Sequence, residues 1–491
     1  MTTSSAGLSR ARLMLLLCAR LVLLAGPTVL AFFSGGFFTE AQVWAGLVAW
    51  LLVAAALVLR AGDGPLSRAA WVAIAGVGLL ALWTLASMAW APIVGSAYHA
   101  GQMVVLYTGV LVAACLLLAS PSVRVWVEPA LGLGALIVIG YGISERLLPG
   151  VLHLAHSVSA EGRLEQPLTY WNAMGELAAL GFVLCAALTG SPHRPRWMGR
   201  LAAAACAPLA IGLYLSFSRG ALFACLAGLL AVLVAAPVRA QRRGVILTVI
   251  AGGLAVAASA PLHGVTALSG SLSTREHQGA IVLVVLVVVM VAAGLVQPRL
   301  VGSGAAQHPF RLPRRAPWIA LALICAGLAV AITVGAKETT VSPSLSGGAS
   351  RLTSLESDRY AYWNVALRAF SSQPVYGVGA GGWELWWLRY RTVPAFAQDA
   401  HSLPLQTLAE LGLVGLVLLG VLVGGVAAGA RRAHRVSPRF TSGAIGAIVA
   451  YAAHAPLDWD WQMPAVTLVA LVLAGMVLGA TAPQQSEAPL L

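Results

Sequence analysis

The sequence predicts an all-α membrane protein with about 12–14 transmembrane helices and one large outer-face loop containing amphipathic helices. Three observations carry this prediction. Hydrophobic residues make up 59% of the chain and charged residues 10%, whereas soluble domains average about 45–50% and about 25%. The apolar residues gather in runs long enough to cross roughly 30 Å of hydrocarbon. Arginines recur in every second gap between those runs.

Taken in order, the runs lie near 13–33, 41–59, 69–90, 102–119, 128–143, 172–190, 200–216, 219–237, 244–262, 279–298, 316–335, 402–428, 441–456 and 461–480. The first follows Arg10 and Arg12 as a signal peptide would. It lacks a small-residue cleavage site and is followed by many further runs, so it reads as a retained first helix. The runs at 200–216 and 219–237 are separated by almost nothing, which puts Arg219 at or inside a membrane boundary. All six cysteines lie in apolar runs without a CxxC pair and read as small buried hydrophobes.

The net charge of +13 invites a nucleic-acid reading. Its placement argues against one. With the N-terminus inside, 19 of the 30 basic residues fall in predicted inner loops, and each inner loop carries an arginine. That is the positive-inside pattern. An even number of spans also puts the C-terminus inside. The expected location is a membrane, with the long loop on its outer face. The chain then divides into N-terminal helices (1–160), a functional membrane region (161–480) with its outer loop at 336–401, and a disordered tail (481–491).

Ten basic residues remain on the outer face, where the rule does not account for them. Five arginines, 351, 359, 368, 389 and 391, fall in the long loop with a dense aromatic set. In 356–370, Tyr360, Trp363, Val365, Leu367 and Phe370 can form an apolar helix face. Gly377, Gly379, Gly381 and Gly382 follow Pro374 without a phosphate-loop lysine or dinucleotide-binding spacing. His401 stands directly before the next apolar run, with Glu410 inside it. A neutral imidazole can accept a proton near neutral pH. Ser216-Phe217-Ser218-Arg219 supplies an arginine fork suited to phosphate oxygens and two hydroxyls. A helix-end histidine with a Ser402 cap, and a boundary arginine reaching for water, are the plainer readings of the same residues. No tight Cys/His cluster suggests a metal.

At these residues the chain resembles the O-antigen ligase/polymerase superfamily. Ser216-Phe217-Ser218-Arg219-Gly220 looks like its Ser-x-Ser-Arg-Gly element. Arg359, Trp363, Pro374, Gly377 and Gly379 resemble its arginine, tryptophan, Pro-x-x-Gly-x-Gly pattern. His401 with Glu410, Gly412 and Gly415 resembles its histidine followed by Glu-x-Gly-x-x-Gly. Arg163 and Asn172 are similar to an earlier Arg-then-Asn stretch, and Asp458 falls where similar proteins place an acidic residue. Ser402 stands where the pattern has asparagine, and Trp171 where it has proline.

The resemblance implies glycosyl transfer from an undecaprenyl-diphosphate-linked glycan donor to a glycan acceptor, without a nucleotide sugar; no cofactor is expected, and whether a divalent ion assists stays open. It implies catalytic roles for His401, Arg219 and Arg359. Arg163, Asn172, Ser216, Ser218, Trp363, Glu410 and Asp458 become the expected substrate-binding set. The partners are these glycans and membrane lipids; the oligomeric state, and the choice between polymerase and ligase, stay open. A solute transporter and a non-catalytic binder of lipid-linked glycan are the alternative readings.

Overall fold

The computed structural model describes residues 2–61, 64–301, 308, 315, 352 and 357–479. The expected span at 316–335, the first part of the long loop including Arg351, and the tail lie outside the described residues. The described helices are α1 (Thr2–Ala31), α2 (Thr39–Val58), α3 (Arg68–Ala86), α4 (Val94–Leu117), α5 (Pro121–Leu147), α6 (Trp171–Gly190), α7 (Arg196–Leu215), α8 (Arg219–Ala235), α9 (Arg239–Ser259), α10 (His263–Thr266), α11 (Leu272–Val301), α12 (Arg359–Ser372), α13 (Trp383–Tyr390), α14 (Leu403–Val436), α15 (Ser442–His454) and α16 (Pro464–Leu478). Ten are long and apolar enough to cross a membrane, and α8, α15 and α16 are shorter apolar helices. Every expected run except 316–335 falls on one of these thirteen. The protein is a multi-pass, all-α membrane protein among the described residues.

Helix α6 is the centre of the bundle and is enclosed along its whole length, whereas α2 and α11 keep most of their surface exposed. Small residues make that central position possible, because they let neighbouring backbones approach. A Cβ on Gly181 would meet Ala135 at 2.6 Å, and one on Gly175 would meet the Ser216 hydroxyl at 2.5 Å. Helix α5 starts at Pro121, earlier than the apolar run suggested. Its first turns carry Glu128, which interrupts hydropathy but is buried against Arg194 at 2.9 Å and the Ala444 N–H at 2.9 Å. A paired carboxylate costs the helix far less than a bare one.

Helix α14 is broken inside the apolar stretch. Gly412 sits at φ +65°, ψ −162°. The freed backbone groups pair with the Gly-rich turn: Leu413 N–H donates to Pro374 O (2.9 Å), Val378 N–H to Ala409 O (3.0 Å) and Gly379 N–H to Glu410 O (2.8 Å). Irregular backbone at this depth requires such internal partners. The glycines are steric necessities here, since a Cβ at Gly377 would meet Glu410 backbone at 2.3 Å and one at Gly412 would meet Val375 O at 2.3 Å. The turn therefore clamps a helix break.

Helix α12 forms as expected, but on a different face. Tyr362, Val365, Ala366 and Ala369 are buried, while Leu367 is 47% exposed and Tyr360, Trp363 and Phe370 are half-buried. The sequence reading took the largest apolar residues. The packed face instead joins Tyr362 and Val365 to the small Ala366 and Ala369, and lies against the parallel rings of Trp383 and Trp387 on α13, 5.7 Å apart.

Candidate functional site

Four chain segments meet at one end of the bundle. They are the entry to α6, the start of α12, the entry to α14, and the turn between α15 and α16. The Leu403 N–H donates to Ala455 O (2.9 Å), which ties the α14 entry to that turn. His401 sits just before it at φ +51°, the left-handed region that strains a non-glycine residue. The strained turn places its ring beside Asp458.

Asp458 is fully buried and organises the cluster. Its Oδ2 accepts from Arg359 Nη2 at 2.6 Å. Its Oδ1 accepts from the Tyr170 hydroxyl (2.7 Å), the Trp459 N–H (3.0 Å) and His401 Nδ1 (3.1 Å). Asn172 Nδ2 donates to the Tyr170 oxygen at 2.7 Å, extending the chain. Burial opposes ionisation of Asp458, but the Arg359 charge and the His401 hydrogen bond outweigh it and hold the carboxyl well below the usual carboxylate range. Burial likewise disfavours the Arg359 charge, and Asp458 more than offsets it. Burial, reinforced by Asp458, pushes the Tyr170 hydroxyl well above the ordinary phenol range, so it stays a donor.

The arrangement decides which imidazole nitrogen does what. With Nδ1–H donated to Asp458, Nε2 carries the lone pair. The ring lies against Tyr362 (5.3 Å, 27° between planes) and edge-on to Trp459 (5.6 Å), so its plane is fixed. The side chain keeps 19% of its surface exposed, and that of Arg359 keeps 23%, above an aspartate with none. A buried anion thus orients one base and one cation that both reach solvent.

The match between sequence and structure follows from these contacts. His401, Arg359, Asp458 and Asn172 come together. Trp363 is on the same helix as Arg359, edge-on to Tyr360 at 5.5 Å, and its indole N–H is a buried donor with no partner among the described residues. Arg219 opens α8 and is half-exposed. Ser218 caps that helix by accepting from the Ala221 N–H (3.3 Å), and Ser216 donates to Leu213 O (2.7 Å), so both hydroxyls serve the local backbone. Arg163 is buried, donates to Ala160 O (2.8 Å) and Ser159 O (2.7 Å), and stacks on Trp171 at 3.7 Å; it orders the loop. Glu410 accepts from Gln406 (3.1 Å) and from the Trp383 N–H (3.3 Å) beneath the Gly-rich turn. Asp399 is held by Gln406 (3.0 Å) and Gln462 (2.9 Å) instead of His401.

Sequence reasoning did not single out Tyr170 or Tyr362 as site residues. It also passed over a second buried cluster, in which His454 Nδ1 bonds Asp460 and lies 3.9 Å from Glu176. Gly220 of the Ser-x-Ser-Arg-Gly element faces His454 so closely that a Cβ would meet its Nε2 at 2.9 Å.

Residues 267–420 match the family model described as O-antigen ligase. The match supports membership of the O-antigen ligase/polymerase superfamily. No curated protein matches the chain. The O-antigen ligase match takes in Arg359, Trp363, the Gly-rich turn, His401 and Glu410. Asn172, Tyr170, Arg219 and Asp458 lie outside it, and the contacts listed above join three of them to Arg359 and His401.

Proposed function

We propose that the protein transfers a glycan from a polyprenyl-diphosphate-linked donor to a hydroxyl of a glycan acceptor, at the outer face of the cytoplasmic membrane. The observation that carries this reading is the meeting of Arg359 and His401 on one buried carboxylate, Asp458, at 2.6 and 3.1 Å. The outward assignment is supported by the distribution of charge. The site end holds the α5–α6, α7–α8 and α15–α16 turns, and the arginines in or next to the α2–α3, α4–α5, α6–α7, α8–α9 and α14–α15 connections lie at the opposite end.

In this mechanism the acceptor O–H presents to His401 Nε2, which takes the proton as the oxygen attacks the anomeric carbon. The bond from that carbon to the diphosphate oxygen breaks, and polyprenyl diphosphate leaves with the electron pair. Asp458 stabilises the imidazolium that forms, as the buried carboxylate of a His–Asp pair does. Arg359 and Arg219 supply fixed positive charge for the leaving diphosphate, where preorganised charge lowers the barrier most. Tyr170 and Asn172 hold the aspartate in place.

The test is single-turnover transfer of radiolabelled lipid-linked glycan by purified, reconstituted protein, read beside donor affinity. His401→Ala and His401→Gln are expected to lower the transfer step by about 10²–10⁴-fold with donor affinity kept. Wild-type rates in both variants would remove His401 from the chemistry. Donor uptake into vesicles without glycan transfer would make the protein a transporter, and binding without either would make it a non-catalytic binder.

A further inference from the structure

A second site opens at the end of the bundle opposite Asp458. Helices α3 and α14 run antiparallel and approach closely through glycine. A Cβ on Gly76 would meet Leu422 N at 2.6 Å, and one on Gly425 would meet Ala73 N at 2.6 Å. One turn further toward the start of α3 the contact gives way to a cleft of about 590 Å³. Its walls include Ala69, Gly424 and Ala428, which are too small to fill it. Gly424 faces open space, with nothing within 4 Å of a Cβ placed there. Val72, on the same wall, is 45% exposed.

Two arginines, Arg68 and Arg432, line this cleft. They come from different helices and lie 364 positions apart in sequence (432 minus 68). Among the described residues no carboxylate pairs with either of them. Arg68 and Arg432 bring two positive charges to one cleft, where a single anion can meet both. Arg68 is also the first residue of α3, where the helix dipole adds to the positive potential. A largely apolar cleft at the end of two membrane helices, with two guanidinium groups that no described carboxylate pairs, has the chemistry to take a phospholipid phosphate with its acyl chains.

We propose that the α3–α14 cleft binds a diacyl anionic phospholipid, its phosphate held by Arg68 and Arg432 and its chains laid over Ala69, Gly424 and Ala428. Phosphatidylglycerol is the probe. Native mass spectrometry of the purified full-length protein would follow its retention, with phosphatidylcholine as the zwitterionic control. The double variant Arg68→Gln/Arg432→Gln is expected to retain phosphatidylglycerol about thirtyfold more weakly, the loss two arginines near an anionic lipid imply. Gly424→Phe, which fills the cleft and keeps both arginines, is expected to lose it as well. Arg431→Gln, next to the site but outside the cleft, should leave retention unchanged. Equal retention by wild type and both cleft variants would overturn the proposal. So would displacement by glycerol phosphate at equal concentration, which would make the site one for free anions. A dimer lost only in Gly424→Phe would instead assign the cleft to a second copy of the chain.

Discussion

Two arginine–carboxylate pairs lie at opposite ends of this bundle and do different work. At one end Arg194 and Glu128 are 2.9 Å apart, with side chains 3% and 4% exposed. Glu128 spends its other oxygen on the Ala444 N–H, which joins α5 to α15. At the other end Arg359 and Asp458 are 2.6 Å apart, but only the aspartate is sealed, and a histidine shares it. Where both partners are enclosed, the pair can only hold helices together. Where a buried carboxylate holds a cation and a base that both reach solvent, the same chemistry is free to meet a substrate. Exposure of the partners, more than the pair itself, separates a latch from a site.

The comparison can be broken from either end. The largest expected effect falls on the sealed pair. Arg194→Ala strands Glu128 in the bundle and should cost about 3–5 kcal/mol of stability, read as thermal unfolding in detergent. Transfer per folded molecule should not change; a selective loss of transfer would give the inner pair a role beyond packing. A smaller effect is expected at the open pair. Tyr170→Phe removes one of the donors to Asp458 and leaves Asn172 without its partner, which should slow transfer about tenfold at unchanged donor affinity. No change in single-turnover rate would make Tyr170 a packing residue. The smallest effect belongs to Ser218. Its hydroxyl caps α8, so Ser218→Ala should cost about 1 kcal/mol of stability and leave donor affinity alone; weaker donor binding in an equally stable variant would return the hydroxyl to the substrate site.

The spans were legible because burying a helix in lipid demands a long apolar run, and a run is a local property of the sequence. The start of α5 was less so: Glu128 breaks the run, and only Arg194, 66 residues away, makes its burial tolerable. The buried face of α12 was misjudged for a related reason. What a helix buries there is set by the two tryptophans it packs on, and Ala366 and Ala369 fit where Leu367 and Phe370 do not. His401 was legible as a polar residue directly before an apolar run, Arg359 as an arginine of the outer loop, and Asp458 through the family resemblance. Their meeting was not, because His401 and Asp458 are 57 residues apart and nothing local links them. Ser216, Ser218 and Arg163 stay proposed substrate contacts, to which the structure adds a local backbone role for each. Ser216 and Arg163 donate to nearby backbone carbonyls and Ser218 accepts from the Ala221 N–H, a use that any turn can make of serine or arginine and that sequence spacing does not distinguish.

In the proposed mechanism Asp458 acts through His401. A double-mutant cycle in single-turnover transfer tests it directly, with donor affinity measured on each variant. Asp458→Asn keeps the shape of the side chain and removes the charge that orients the ring. Asp458→Asn and His401→Ala are each expected to slow transfer by about 10²-fold or more, and the double variant is expected to be no slower than His401→Ala alone, since a misplaced base and a missing base fail at the same step. Losses that multiply in the double variant would contradict it, because the two residues would then act independently.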